Sequence, residues 1–251
     1  MTRGEKISTW LKGRAEQAGA NGFVFGLSGG IDSAVVARLC QLATPGHVLG
    51  VIMPCYSQTQ DEQDARLVAE AFDIPVVRVD LSRAFDALGA TLDDALKEQQ
   101  PKLAVNVVDI KQRLPRANIK PRMRMTSLYY IANAMNYVVA GTGNRSEITL
   151  GYYTKYGDGG VDVLPIGGLL KSEVRALARE LGVPEPVITK APTAGLWPGQ
   201  TDEAEMGFSY ELLELYLAKG PSAVPADIAA RIEQLKAVSE HKRAMPPVAP
   251  I

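Results

Sequence analysis

The sequence predicts an α/β fold, a doubly wound parallel sheet flanked by helices, on three observations. Apolar runs of strand length alternate with stretches of helical periodicity. The runs are apolar along their whole length, as strands buried on both faces must be. The first and fourth runs each end in a glycine-bearing turn, and a doubly wound sheet places its ligands at the carboxyl ends of its strands. A chain of 251 residues, 46% of them hydrophobic, suits one such domain spanning residues 1–251.

The elements follow in order. Residues 4–18 predict an opening helix with Ile7, Trp10 and Leu11 on one side. Phe23 to Leu27 is a short apolar strand, and Asp32 to Leu42 a helix with Val35, Val36, Leu39 and Leu42 at helical spacing. His47 to Met53 is the second buried strand. Thr59 to Phe72 is a helix with Asp61 and Glu62 in its first turn. Pro75 to Leu81 is the third strand. A helical stretch runs from Ser82 to Gln99, is interrupted at Pro101, and resumes over Val105 to Asn118. Met123 to Asn136 is a helix, and Tyr137 to Ala140 the fourth strand. Leu170 to Leu181 is helical, Pro184 to Ile188 a short strand or turn, and helices over 209–219 and 225–240 precede a proline-rich tail. The irregular stretches Gly151 to Gly168 and Lys190 to Gly207 are long for a compact domain, which marks them as functional loops or disorder.

Composition narrows the function. Lys and Arg total 27 against 28 Asp and Glu, so the chain lacks the basic excess of a nucleic-acid binder. Cys40 and Cys55 form no CxxC pair and there are 2 histidines, which argues against structural zinc and for reduced thiols in a cytoplasmic protein. The polar N-terminus has no signal-peptide core, and no run of about eighteen apolar residues predicts a membrane span.

The turn after the first strand reads Ser28-Gly29-Gly30-Ile31-Asp32-Ser33. Glycines let the backbone approach a ligand, and a helix start offers unpaired N–H groups and partial positive charge, so the turn is a candidate phosphate cradle. Asp32 beside a phosphate would be repelled by several kcal/mol at ~4 Å unless a cation intervenes. Magnesium held by one carboxylate and phosphate oxygens resolves the conflict, so Asp32 is read as a metal ligand. The plainer reading, a helix cap, explains Asp32 but not the serines and glycines together.

Gly141-Thr142-Gly143-Asn144-Arg145-Ser146-Glu147 follows the fourth strand. Glu147 is a candidate second carboxylate for magnesium and Thr142 a candidate nucleotide contact. An Asn144 cap with Glu147 three residues on, a capping box, explains the same residues equally well. Lys171 opens a helix, where a cation opposes the dipole, a placement that suits a phosphate or simply a solvated lysine. Arg122 and Arg124 are candidates for bidentate binding of a pyrophosphate.

The SGGIDS segment resembles the pyrophosphate loop of the N-type ATP pyrophosphatases. With KYGDGG, VDVLPI, GGLLK, KAPTAGLWPGQTDEAEMGFSYELLELYL and SEHKRAMPP in order, the chain from about Phe23 to Pro247 resembles the NAD synthetase family. The resemblance implies ATP contacts at Gly26, Leu27, Ser28, Gly29, Gly30, Ile31, Asp32, Ser33, Thr142, Lys171 and Thr193, with Asp32, Lys171 and Thr193 closest to the chemistry. It implies magnesium on Asp32 and Glu147. It implies deamido-NAD⁺ contacts at Arg122, Lys155, Asp158, Asp162, His241 and Lys242. The family's basic residue in strand two is absent near Ile52, leaving Gln58 as a candidate for the adenine pocket, and Leu114 stands where relatives often carry an aromatic ring.

The resemblance further implies amidation of deamido-NAD⁺ with ATP and ammonia through an acyl-adenylate, and a homodimer; the amphipathic helices between Leu92 and Asn136 are candidates for its surface or, equally, for intrachain core. No glutaminase domain is expected, and a separate glutaminase partner stays open. Two rivals stay open as well: another adenylating enzyme of the superfamily, and a nucleotide-binding module without catalysis.

Overall fold

A computed structural model describes residues 1–103, 113–192 and 201–250. The chain opens with α1 (Arg3–Gln17), β1 (Gly22–Gly26), α2 (Ile31–Ala43), β2 (Val48–Ile52), α3 (Thr59–Ala71) and β3 (Val76–Arg78). It continues through α4 (Ser82–Gln99), α5 (Arg113–Ala117), α6 (Ile119–Met135), β4 (Tyr137–Val139) and α7 (Arg145–Leu150). The C-terminal part holds α8 (Lys171–Glu180), α9 (Glu185–Thr189), α10 (Asp202–Met206), α11 (Tyr210–Lys219) and α12 (Ala226–Val238).

The strands form a parallel sheet in the order β3-β2-β1-β4, so the chain reverses direction across the sheet between β1 and β4. Phe23, Val24 and Phe25 of β1 are wholly buried at the centre. Alternation divides them: Phe23 and Phe25 pack with Leu11, Val35, Leu39, Val174 and Leu177 beneath α1, α2 and α8. Val24 packs with Val51, Val139, Leu128 and Ala132 beneath α6. Burying each such side chain contributes roughly 1.5–3 kcal/mol, which makes the sheet the rigid platform for the turns at its carboxyl edge. A third cluster, Leu150, Met206, Phe208, Tyr210, Leu213 and Ile232, ties α7 to α10, α11 and α12.

Several expectations are corrected. β3 is three residues long and half open, with Val77 39% exposed, because it is an edge strand and not a run buried on both faces. Trp10 faces out beneath the Arg14 guanidinium, and Leu42 is also exposed. Pro184 to Ile188 is neither strand nor turn: Pro184 caps the short helix α9. One short helix, α10, lies in the Lys190 to Gly207 stretch read as irregular, while α7 starts at the Asn144 capping box. Of the helix expected over 105–118, residues 105–112 lie outside the described residues and the rest is α5; α6 begins at Ile119, and its cap Asn136 takes the left-handed conformation.

Candidate functional site

β1 delivers the chain into a turn that its own side chains brace. Ser28 N–H donates to Ser33 Oγ at 3.2 Å, Gly30 N–H to Ser28 Oγ at 3.3 Å, and Ser33 Oγ–H to the Gly30 carbonyl at 2.8 Å. Gly29 takes φ +79°, and a Cβ there would lie 2.3 Å from the Asp61 carbonyl oxygen of α3. The N–H groups of Gly29, Ile31 and Asp32 have no acceptor among the described residues. Three such donors at the start of α2 form an anion cradle.

The turn after β4 meets this cradle from the neighbouring strand. Asn144, wholly buried, accepts from Glu147 N–H at 3.1 Å while its amide donates to Asp32 Oδ1 at 3.2 Å. Glu147 returns a bond to Asn144 N–H at 3.2 Å. The capping box and the acidic site are therefore both present: the box orients Glu147, whose Oε1 lies 3.8 Å from Lys171 Nζ. Lys171 is 3% exposed and also binds Asp32 Oδ2.

Electrostatics follow from this burial. Burial pulls the Lys171 ammonium down, but Asp32 and Glu147 together outweigh it and hold the group above its usual value. Burial, reinforced by the Asp32 charge, pushes Glu147 up to about 8. A further acid adjoins them that sequence reasoning missed. Asp202, 4% exposed, accepts from Tyr210 O–H at 2.8 Å while its Oδ1 has no partner, and the Tyr210 ring lies beneath Lys171. Only its place in the irregular stretch before α11 signalled it.

The other site residues predicted from the sequence separate into groups. Gln58 is exposed at the start of α3, its N–H donating to Asp61 at 3.3 Å, beside the cradle. Thr142 is half-buried in the β4 turn, with no side-chain hydrogen bond among the described residues. Thr193 lies outside the described residues. Around the 151–160 loop, Arg122 donates to the Lys155 carbonyl at 3.4 Å, and Lys155 Nζ lies 3.5 Å from His241 Nδ1. Asp158 accepts from Thr154 N–H at 2.8 Å. Asp162 accepts from Tyr129 O–H and Val139 N–H, each at 2.8 Å.

Lys242 is turned inward: its Nζ donates to the Gly151 and Tyr153 carbonyls, each at 2.6 Å. Arg243 beside it donates to the Ile148 and Thr149 carbonyls, so the tail clamps the end of the helix that carries Glu147. Arg124 turns its guanidinium under β2, to the Met53 carbonyl at 3.2 Å, rather than joining Arg122 on the outside. Cys40 and Cys55 are free and buried.

A family model described as NAD synthase matches residues 4–246. The chain belongs to the NAD synthase family. An NH(3)-dependent NAD(+) synthetase from Carboxydothermus hydrogenoformans is 48% identical over 97% of this chain and 95% of its own length. Among solved structures, an NMN synthetase from Francisella tularensis superposes with TM-score 0.89 at 36% identity, covering 99% of this chain and 98% of that one. An NH3-dependent NAD synthetase from Campylobacter jejuni, in complex with nitrate ion, superposes with TM-score 0.76 at 28% identity, covering 99% and 97%. Membership of the NAD synthase family agrees with the parallel sheet and with the two turns meeting at its carboxyl edge. Among the described residues no helix is long and apolar enough to cross a membrane.

Proposed function

We propose that this member of the NAD synthase family amidates deamido-NAD⁺ with ammonia at the expense of ATP, giving NAD⁺, AMP and pyrophosphate. The observation that carries the reading is the meeting of Asp32, Glu147 and Lys171 beside the free amides of the Gly29 turn. A carboxylate is a poor electrophile, because its leaving group would be oxide. The nicotinate oxygen therefore attacks the α-phosphorus of ATP; the bond to the β-phosphate oxygen breaks and pyrophosphate leaves. The cradle amides and the buried Lys171 ammonium receive the charge that develops on it. Ammonia nitrogen then attacks the acyl carbon, the bond to AMP breaks, and the surplus proton passes to solvent. Holding carboxylate and phosphate together supplies much of the rate.

Asp32 and Glu147 fit a magnesium ion: an ammonium already seats between them, and no group of three or more His, Cys, Asp or Glu among the described residues offers a complete cage. Asp32 and Glu147 would hold it, and magnesium there would neutralise charge on the triphosphate. By the family resemblance, Arg122, Lys155, Asp158, Asp162, His241 and Lys242 are assigned to deamido-NAD⁺, and Thr142 and Gln58 to ATP; Thr193, assigned with them, lies outside the described residues. The test supplies purified protein with ATP, magnesium and deamido-NAD⁺, and either ammonium or glutamine. Equimolar NAD⁺, AMP and pyrophosphate with ammonium is expected; turnover with glutamine alone would overturn the ammonia assignment.

A second reading, a mononucleotide acid as substrate, is favoured by the superposition on the Francisella NMN synthetase. The ratio of kcat/KM for nicotinic acid mononucleotide and deamido-NAD⁺ decides between them.

The chain is also proposed to act as a cytoplasmic homodimer. Leu88, Leu92 and Leu96 of α4 recur every fourth residue and are 42%, 46% and 46% exposed, an apolar stripe that a second copy would cover. Light scattering is expected to give twice the 27.0 kDa chain mass, and Leu92→Glu with Leu96→Glu to give the monomer. A monomeric wild type refutes the dimer.

A further inference from the structure

The cradle has an acidic outer wall. A side chain at Gly29 would meet the Asp61 carbonyl at 2.3 Å and Asp64 Cβ at 3.0 Å, so the first turns of α3 press directly on the cradle. Asp61 and Asp64 lie three apart on that helix, a spacing at which like charges repel. Both face an ammonium from elsewhere in the chain. Lys190, the residue after α9, donates to Asp61 Oδ1 at 2.8 Å and to Asp64 Oδ2 at 2.6 Å. The remaining carboxylate oxygens are held by Gln58 N–H, on Asp61 Oδ2, and by the Gln60 amide, at 2.8 Å on Asp64 Oδ1. The side chains of Lys190, Asp61 and Asp64 are 24%, 25% and 7% exposed, so solvent screens this group incompletely.

We infer that Lys190 is a positioning residue for ATP: by offsetting one of the two charges on Asp61 and Asp64 it lets the Gly29 cradle accept a polyanion against an acidic wall. The inference rests on the reading of the cradle as the triphosphate site. Without Lys190, two carboxylates on the helix that abuts the turn would oppose phosphate. They would also oppose one another and loosen the start of α3, against which Gly29 is fitted. Lys190 thus acts through Asp61 and Asp64, and no contact between it and the nucleotide is required.

The experiment measures ATP affinity by calorimetry without the acid substrate, so that a wrong assignment of the amidation substrate leaves its outcome intact. Lys190→Gln is expected to weaken ATP about tenfold, the scale of one incompletely screened charge. Lys190→Arg should retain affinity. Adding Asp61→Asn and Asp64→Asn to Lys190→Gln should restore it to within roughly threefold of wild type, a charge rescue that lost packing alone cannot give. Unchanged affinity in Lys190→Gln, or no recovery in the triple variant, overturns the inference. Should Lys190→Gln fail to fold, Asp61→Asn with Asp64→Asn and Lys190 intact decides. The ammonium is then uncompensated and ATP should bind several-fold tighter; equal or weaker binding overturns the inference.

Discussion

Lys171→Met is expected to lower kcat/KM for amidation by roughly 10³-fold or more, the scale seen when a buried charge donor aimed at a developing anion is removed. Lys171 is 3% exposed and faces Asp32 and Glu147, with Asp202 nearby, so its removal leaves these acids without the one cation that the described residues place against them. Breaking a buried pair from one side costs about 3–5 kcal/mol, because the surviving partner stays desolvated. The melting temperature should therefore fall by on the order of 10 °C at neutral pH. Stopped turnover with an unchanged melting temperature would show that Lys171 does not hold the acids together. Activity near wild type would remove it from the site altogether.

The same variant has a pH signature. Glu147, ordinarily near 4.5, is raised to about 8 in the folded chain. A group raised on folding contributes stability that is fully present below its unfolded value and is lost as pH rises through the folded one. In the wild type Lys171 opposes this loss by favouring the charged carboxylate. In Lys171→Met the opposition is gone and the folded value rises further, so the loss of stability should continue above pH 8, where it levels off in wild type. Thermal melts between pH 7 and 9 measure it. Coincident curves above pH 8 would mean that Glu147 does not sense Lys171.

What the sequence could disclose depended on how local the cause was. The cradle was legible because a strand, two glycines and a helix start lie within a dozen residues, and backbone physics alone predicts their use. β1 and β4 were placed side by side from their terminal turns, and the observed order agrees. α9 was misread because Val187, Ile188 and Thr189 are β-branched, and the start signal of Pro184 and Glu185 outweighed that propensity. The partners of Lys171 and Lys190 were illegible in another way. Lys171 meets Asp32 across 139 positions and Lys190 meets Asp61 across 129, so no window of sequence contains either pair. Asn144 shows both regimes at once. Its cap was visible from Glu147 three residues on, while its bond to Asp32 exists only once the sheet brings the two turns together.

Gly29→Ala is expected to reduce kcat/KM for ATP by roughly a hundredfold, the cost of displacing a positioned ligand by about an ångström. Two penalties combine at this glycine. Its φ of +79° costs an L-residue roughly 1–2 kcal/mol. Its new Cβ would lie 2.3 Å from the Asp61 carbonyl, a backbone oxygen that no rotamer change can move aside. Either α3 shifts outward, taking Asp61, Asp64 and the Lys190 contact with it, or the turn rotates and withdraws its N–H from the phosphate. Gly46→Ala separates the penalties, because Gly46 shares φ +79° but has nothing within 4 Å of an added Cβ. That control should lose about 1 kcal/mol of stability and no affinity for ATP. The decisive measurement is the ATP binding isotherm of the two variants side by side. If Gly29→Ala binds ATP like Gly46→Ala, the free amides of this turn are not where the phosphates sit, and the cradle reading falls with them.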